Sequence, residues 1–110
     1  QTQGIINAEL INVMPKGGYI VNIARGGHQV DADLLAALDS GQLGGVFLDV
    51  FAEEPLSPDH PFWLHEKVWM TPHVAGELMP RSCAKSVVAN IRRFEAGEPV
   101  PNLLNKSEGY

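Results

Sequence analysis

Apolar residues fall in short runs separated by glycine and proline, and most runs stop on a charged or ring-bearing residue. The run Tyr19-Ile20-Val21-Asn22-Ile23-Ala24 is β-branched or apolar almost throughout and bounded by glycines, which predicts a strand buried on both faces. Before it, Asn7 is placed to cap a short helix whose buried stripe is Leu10, Ile11 and Met14, ended by Pro15 and Gly17-Gly18. Gly26-Gly27 breaks the strand and frees the backbone to turn. Asp31 is the expected N-cap of a second helix, with Leu34, Leu35 and Leu38 on one face and a stop before Gly41. Residues 44–49 read as a second buried strand. Strand, helix and strand in about thirty residues make a βαβ unit, with parallel pairing and a right-handed crossover. Residues 50–67 are Pro-rich and irregular, with one helical turn at 62–65. Residues 68–71 form a short third strand. Pro80 suits the first turn of a longer helix lined on one side by Cys83, Val87, Val88, Ile91 and Phe94 and closed by Gly97. An extended terminal segment follows. The predicted class is α/β, a parallel sheet with helical connections.

Composition narrows the partners. The net charge of −5, with only Arg92-Arg93 adjacent among scattered basic residues, argues against nucleic acid. No apolar run approaches the ~20 residues that span a bilayer, so no membrane partner is expected. Cys83 is the single cysteine and cannot form an internal disulfide, which fits a reducing, cytoplasmic compartment. A chain of this length buries roughly 65% of its unfolded surface, enough for a modest core.

The ionisable residues carry the chemistry. Arg25, Asp49 and His73 each follow an apolar run, and Glu53-Glu54 lie close behind Asp49. In an open parallel sheet, ligands bind beyond the carboxyl ends of the strands, so these residues converge on one edge. Arg25 offers a planar fork that matches a carboxylate bidentately, or else pairs with Asp31 or Asp33 at the next helix N-terminus. His73 is either a general acid/base or a structural strand-end histidine; contact with Glu54 would favour the first. The alternative for Glu53-Glu54 is a solvated acidic loop. Asp49 should accept hydrogen bonds, from loop amides or from an amide-bearing ligand, because an unpaired buried carboxylate is costly. His28, His60 and His65 lack partners at metal-ligand spacing, and no metal site is expected. Ser40, Ser57 and Ser82 lack the context of a nucleophile elbow. No Gly-x-Gly-x-x-Gly loop occurs in the chain.

Three motifs in order, Asn22-Ile23-Ala24-Arg25-Gly26, Asp49-Val50-Phe51-Ala52-Glu53-Glu54-Pro55 and Thr71-Pro72-His73-Val74-Ala75-Gly76, resemble the second half of a D-isomer-specific 2-hydroxyacid dehydrogenase. Residues 34–51 and the ending Glu108-Gly109-Tyr110 are most similar to the glyoxylate/hydroxypyruvate reductase branch. The resemblance implies the later half of a Rossmann-type doubly wound sheet at 1–77. It also implies a C-terminal helix and tail at 78–110 that return to a substrate domain. It implies that Arg25 holds the substrate carboxylate, that His73 gives the proton to the carbonyl oxygen as hydride arrives, and that Glu54 keeps His73 protonated and oriented. Ile23, Ala24, Arg25, Asp49, His73 and Gly76 would face the dinucleotide, NADP or NAD, with NADPH favoured by the branch. Formate dehydrogenases, related in fold, place Gln where Glu54 stands, so the acid favours 2-hydroxy acid chemistry. The expected partners are a small 2-keto or 2-hydroxy acid, the dinucleotide and a second copy in a homodimer. Phosphoglycerate- or lactate-type dehydrogenases, and non-catalytic dinucleotide-sensing modules of the family, are the rival readings. Without the phosphate loop, residues 1–110 alone are expected to hold half a site.

Overall fold

The computed structural model describes residues 2–76 and 79–107, in two units, 1–76 and 77–110. The division expected between 77 and 78 and the ending Glu108-Gly109-Tyr110 lie outside the described residues.

The first unit runs α1 (Ala8–Asn12), β1 (Gly18–Asn22), α2 (Asp31–Asp39), β2 (Leu43–Leu48) and β3 (Val68–Met70). Its sheet has 3 strands in the order β1-β2-β3, both pairings parallel. A helical crossover brings β2 back beside β1 in the same direction, which a tight turn could not do. The register sets Asn22 beside Leu48, and Leu48 beside Met70. The segments leaving all three strands therefore emerge at one edge.

Helix α2 packs one face of the sheet through Leu34 and Leu38, both 0% exposed, one turn apart. They join Ile11, Ile20, Leu43, Val46, Leu48 and Phe62 in the core. The helix ends are closed by side chains from neighbouring segments. Lys67 Nζ donates to the Leu38 carbonyl at 3.1 Å, a cation at the negative end of α2. Gln42 Nε2 donates to the Ile11 and Met14 carbonyls, each at 3.0 Å, at the end of α1.

Several expectations need correction. Asn7 caps α1 by accepting from the Leu10 amide, yet Leu10 is itself exposed. Successive helical residues stand about 100° apart, so a five-residue helix that buries Ile11 turns Leu10 away. In β1 only Ile20 and Asn22 face the core, while Tyr19, Val21 and the following Ile23 are exposed. Within this unit α1 and α2 contribute to a core on one face only, so the strand buries alternate residues. Val30, not Asp31, is the N-cap of α2. Asp31 and Asp33 sit instead in its first turn, where negative charge suits the helix dipole, and Asp33 Oδ2 accepts from the Ala8 amide at 2.8 Å. The helical turn in the long loop is a 3₁₀ turn at Pro61–Leu64, capped by His60.

In the second unit, α3 (Pro80–Glu95) starts with proline in its first turn and is followed by Gly97 at φ 69°. Val87, Val88, Ile91 and Phe94 are exposed, and Cys83 is half-buried. Among the described residues no helix is long and apolar enough to cross a membrane.

Leu34→Ala or Leu38→Ala should destabilise the intact protein by about 2–5 kcal/mol in chemical denaturation. Leu64→Ala, at a position 94% exposed, should stay within about 0.5 kcal/mol of wild type. Equal effects at the two kinds of site would contradict the packing described.

Candidate active site

Past β1, the chain turns through Ala24 and Arg25 into a 3₁₀ turn at Gly26–His28. Asn22, buried at the end of β1, organises this turn with its side-chain amide. Its Nδ2 donates to the Arg25 carbonyl at 3.0 Å and to Gln29 Oε1 at 2.8 Å, and its Oδ1 accepts from the Ala24 amide at 3.1 Å. Gly26 answers a different need from the one its sequence context suggests. Its φ is not positive; rather, a Cβ there would lie 1.9 Å from the Phe51 carbonyl carbon. The turn carrying Arg25 thus rests directly on the backbone of the loop that carries Glu54.

Past β2, Asp49 is buried and its carboxylate is held by the segment that follows β3. Oδ1 accepts from the Thr71 hydroxyl and, at 2.9 Å, from the Val74 amide; Oδ2 accepts from the Ala75 amide at 2.9 Å. Burial pushes its pKa up, but these three bonds, with the charge of His73 adding to them, outweigh that and hold the carboxyl below its ordinary value. Two amides reach one carboxylate because His73 adopts φ 54°, a left-handed conformation that costs of order 1–2 kcal/mol for most residues.

That backbone aims the imidazole at Glu54. His73 Nδ1 and Glu54 Oε2 are 2.7 Å apart, and Glu54 Oε1 accepts from the Phe51 amide at 2.9 Å. The hydrogen bond with His73, then the Phe51 amide, hold the Glu54 carboxyl below its ordinary value against a smaller burial penalty, with the charges of His73 and Arg25 adding to the effect. A cavity of about 480 Å³ adjoins the pair, walled mainly by Phe51, Pro55, Leu56, Trp63, Met70 and Pro72. Trp63 is fixed by its Nε1, which donates to the Ser57 carbonyl at 2.9 Å.

Arg25 is exposed and, among the described residues, forms no ion pair; its Nη1 donates only to the Ala24 carbonyl at 2.8 Å. Its two expected acidic partners are engaged elsewhere. Asp31 receives Gln29 Nε2 at 2.9 Å and stands 3.5 Å from His60, and Asp33 caps Ala8. His65 lies 3.4 Å from Asp39. Of the residues singled out in the sequence, His73 and Glu54 touch. Asp49 meets loop amides, and Ile23, Ala24 and Gly76 lie exposed on the segments beyond β1 and β3. Asn22, Gln29 and Thr71 also belong to these networks, and the sequence motifs give them no site role. The available signal was Asn22, the one polar residue in an apolar strand.

An open parallel sheet with its ionisable residues at the carboxyl edge is of the Rossmann type. The family model described as D-isomer specific 2-hydroxyacid dehydrogenase, NAD binding domain, matches residues 1–75, and the chain belongs to this family. It is 48% identical to glyoxylate/hydroxypyruvate reductase A of Salmonella newport (strain SL254) over 110 residues, 100% of this chain and 35% of that protein. The chain therefore spans about a third of the length of such relatives. It is similar to a D-isomer specific 2-hydroxyacid dehydrogenase from Xanthobacter autotrophicus Py2, solved in complex with NADPH and MES. That match has a TM-score of 0.90 and 45% identity, covering 99% of this chain and 45% of the other. An NADPH-dependent glyoxylate/hydroxypyruvate reductase from Sinorhizobium meliloti, solved with NADP and sulfate, aligns at TM-score 0.84 and 46% identity over 99% of this chain and 36% of its own.

The close approach at Gly26 makes Gly26→Ala destabilising by about 1–3 kcal/mol or more, whereas Gly27→Ala, with nothing within 4 Å of a new Cβ, should be nearly neutral. Denaturant titration of both variants checks this, and similar midpoints would refute the contact.

Acid stability follows from Asp49. Its pKa is lowered on folding, so its contribution is fully present above the ordinary value of 3.8 and is lost as pH falls through the lower folded value. Asp49→Asn should lower the melting temperature at neutral pH and flatten its decline in acid. An unchanged acid slope would show that the charge is not stabilised by the fold.

Proposed function

We propose that this chain supplies the acid–base and anion-anchoring part of an NAD(P)H-dependent reductase. Its substrate would be a small 2-keto acid, glyoxylate or hydroxypyruvate, converted to the D-2-hydroxy acid. The observation that carries the proposal is the 2.7 Å contact between His73 Nδ1 and Glu54 Oε2, made at the sheet edge from which Arg25 also emerges.

Arg25 binds the substrate carboxylate through its bidentate fork and polarises the adjacent carbonyl. Its lack of an acidic partner among the described residues leaves that fork available. With Nδ1 fixed by Glu54, the His73 ring presents Nε2 to the carbonyl oxygen as the proton donor. Glu54 orients the ring and balances its charge. The adjoining cavity sets apolar side chains beside the pair.

The chain offers a dinucleotide accessible surfaces on both sides of this edge. Ile23, Ala24 and Arg25 are exposed, and the Cβ side of Gly76 is open. Asp49 is a weaker ligand than its position suggests, since loop groups occupy it and Oδ2 keeps one acceptor position at most. The reduced nicotinamide, when bound, supplies the hydride. NADPH is favoured because relatives 45% and 46% identical were solved with NADPH and NADP. The single Cys83 fits a cytoplasmic setting, and a homodimer follows from the family resemblance.

The test is NADPH oxidation by the intact protein with glyoxylate and hydroxypyruvate. His73→Ala should lower turnover by roughly 10²–10⁴ while dinucleotide affinity stays within about threefold. Arg25→Lys should lower kcat/KM more than about tenfold, because lysine keeps the charge and loses the fork. Absence of turnover in the wild type, or an unaffected Arg25→Lys variant, would overturn the corresponding assignment.

A further inference from the structure

We infer that Asn22 is a positioning residue for substrate anion binding, acting by fixing the backbone turn from which Arg25 projects. The inference rests on Arg25 being the carboxylate anchor. Asn22 is 3% exposed and points to the core side of β1, where Ile20 also packs. Packing alone would be served by an apolar residue at this position. A buried amide is costly unless its polar atoms are matched, and here both Nδ2 hydrogens and the Oδ1 have partners.

The matched groups bracket Arg25. The Oδ1 of Asn22 accepts from the Ala24 amide, in the Ile23–Ala24 peptide, and its Nδ2 donates to the Arg25 carbonyl, in the Arg25–Gly26 peptide. The Ile23–Ala24 and Arg25–Gly26 peptides are thereby pinned on either side of the Ala24–Arg25 peptide, which limits the directions in which the arginine side chain can leave the turn. Gln29 braces the arrangement from behind. It is 5% exposed, receives the second Nδ2 hydrogen on Oε1, and is itself held by Asp31 through Nε2. The guanidinium has no comparable restraint of its own among the described residues, only a bond to the carbonyl of the preceding residue. Its aim therefore depends on its base. Misplacement of a substrate-positioning group by about 1 Å can cost on the order of 10²-fold in rate.

A double-mutant cycle in the intact protein tests this, read as NADPH-dependent reduction of glyoxylate. Asn22→Ala should lower kcat/KM for glyoxylate about tenfold, mostly through KM, with NADPH affinity within about threefold. In an Arg25→Lys background, where the fork is already gone, Asn22→Ala should cost less than about threefold. Equal losses in both backgrounds would overturn the inference, because a merely structural residue would cost the same with or without the fork. If Asn22→Ala does not fold, Gln29→Met removes the brace, and the same cycle is read on that variant with the same two outcomes. An Arg25→Lys enzyme with wild-type kcat/KM would remove the anchor reading and this inference with it. A costly Arg25→Lys with an independent Asn22 effect would remove only the inference.

Discussion

A carboxylate leaves water only where hydrogen bonds replace its hydration, and Asp49 meets that condition by drawing the segment after β3 across the end of β2. The Thr71 hydroxyl and the amides of Val74 and Ala75 all converge on it. The residue between them, His73, is consequently driven into a left-handed backbone conformation that would be unfavourable in a free loop. The position of the imidazole is thus a by-product of satisfying a buried anion. The contact between Glu54 and His73 depends on that bond set, because it forms with the ring held there.

The second constraint is steric. Gly26 lies against the Phe51 backbone so closely that no side chain fits between them. This contact locks the turn bearing Arg25 to the loop bearing Glu54, while Asp49 locks that same loop's origin to the segment bearing His73. Three connections that leave three parallel strands are joined to one another beyond the sheet. A parallel sheet supplies the common edge, but the spacing across it comes from these two cross-links.

Much of this was legible in the chain. Glycine-bounded apolar runs marked the strands, and helical spacing of Leu34, Leu35 and Leu38 marked the crossover. That the connections bearing Arg25, Asp49, Glu54 and His73 leave one edge followed from parallel topology alone. Other features were illegible for physical reasons. Strand periodicity cannot say whether a second face is covered, so Tyr19 and Val21 read as buried although this unit leaves them exposed. Asp31 and Val30 compete for the N-cap, and the aspartate is drawn into the first turn, where it also meets Gln29 and His60. A glycine required for close approach looks, in sequence, like one required for a turn. Gly26 has the sequence context of the second and is the first. Asn22 was visible as a polar interruption of an apolar run, but its three partners lie up to seven residues away and appear only on folding.

The pair of His73 and Glu54 differs in kind from the network beneath it. Both side chains are about half-exposed, a setting in which an ion pair adds little to stability. Asn22, Gln29 and Asp49 are buried, and their hydrogen bonds would be missed by the fold itself. The proposed acid–base pair is therefore made of groups the fold can lose, while their placement is carried by groups it cannot. That separation would let the half-exposed pair change its hydrogen bonding in the proposed reaction without disturbing the core. It also makes the buried network the part of the site where stability and placement cannot be altered independently.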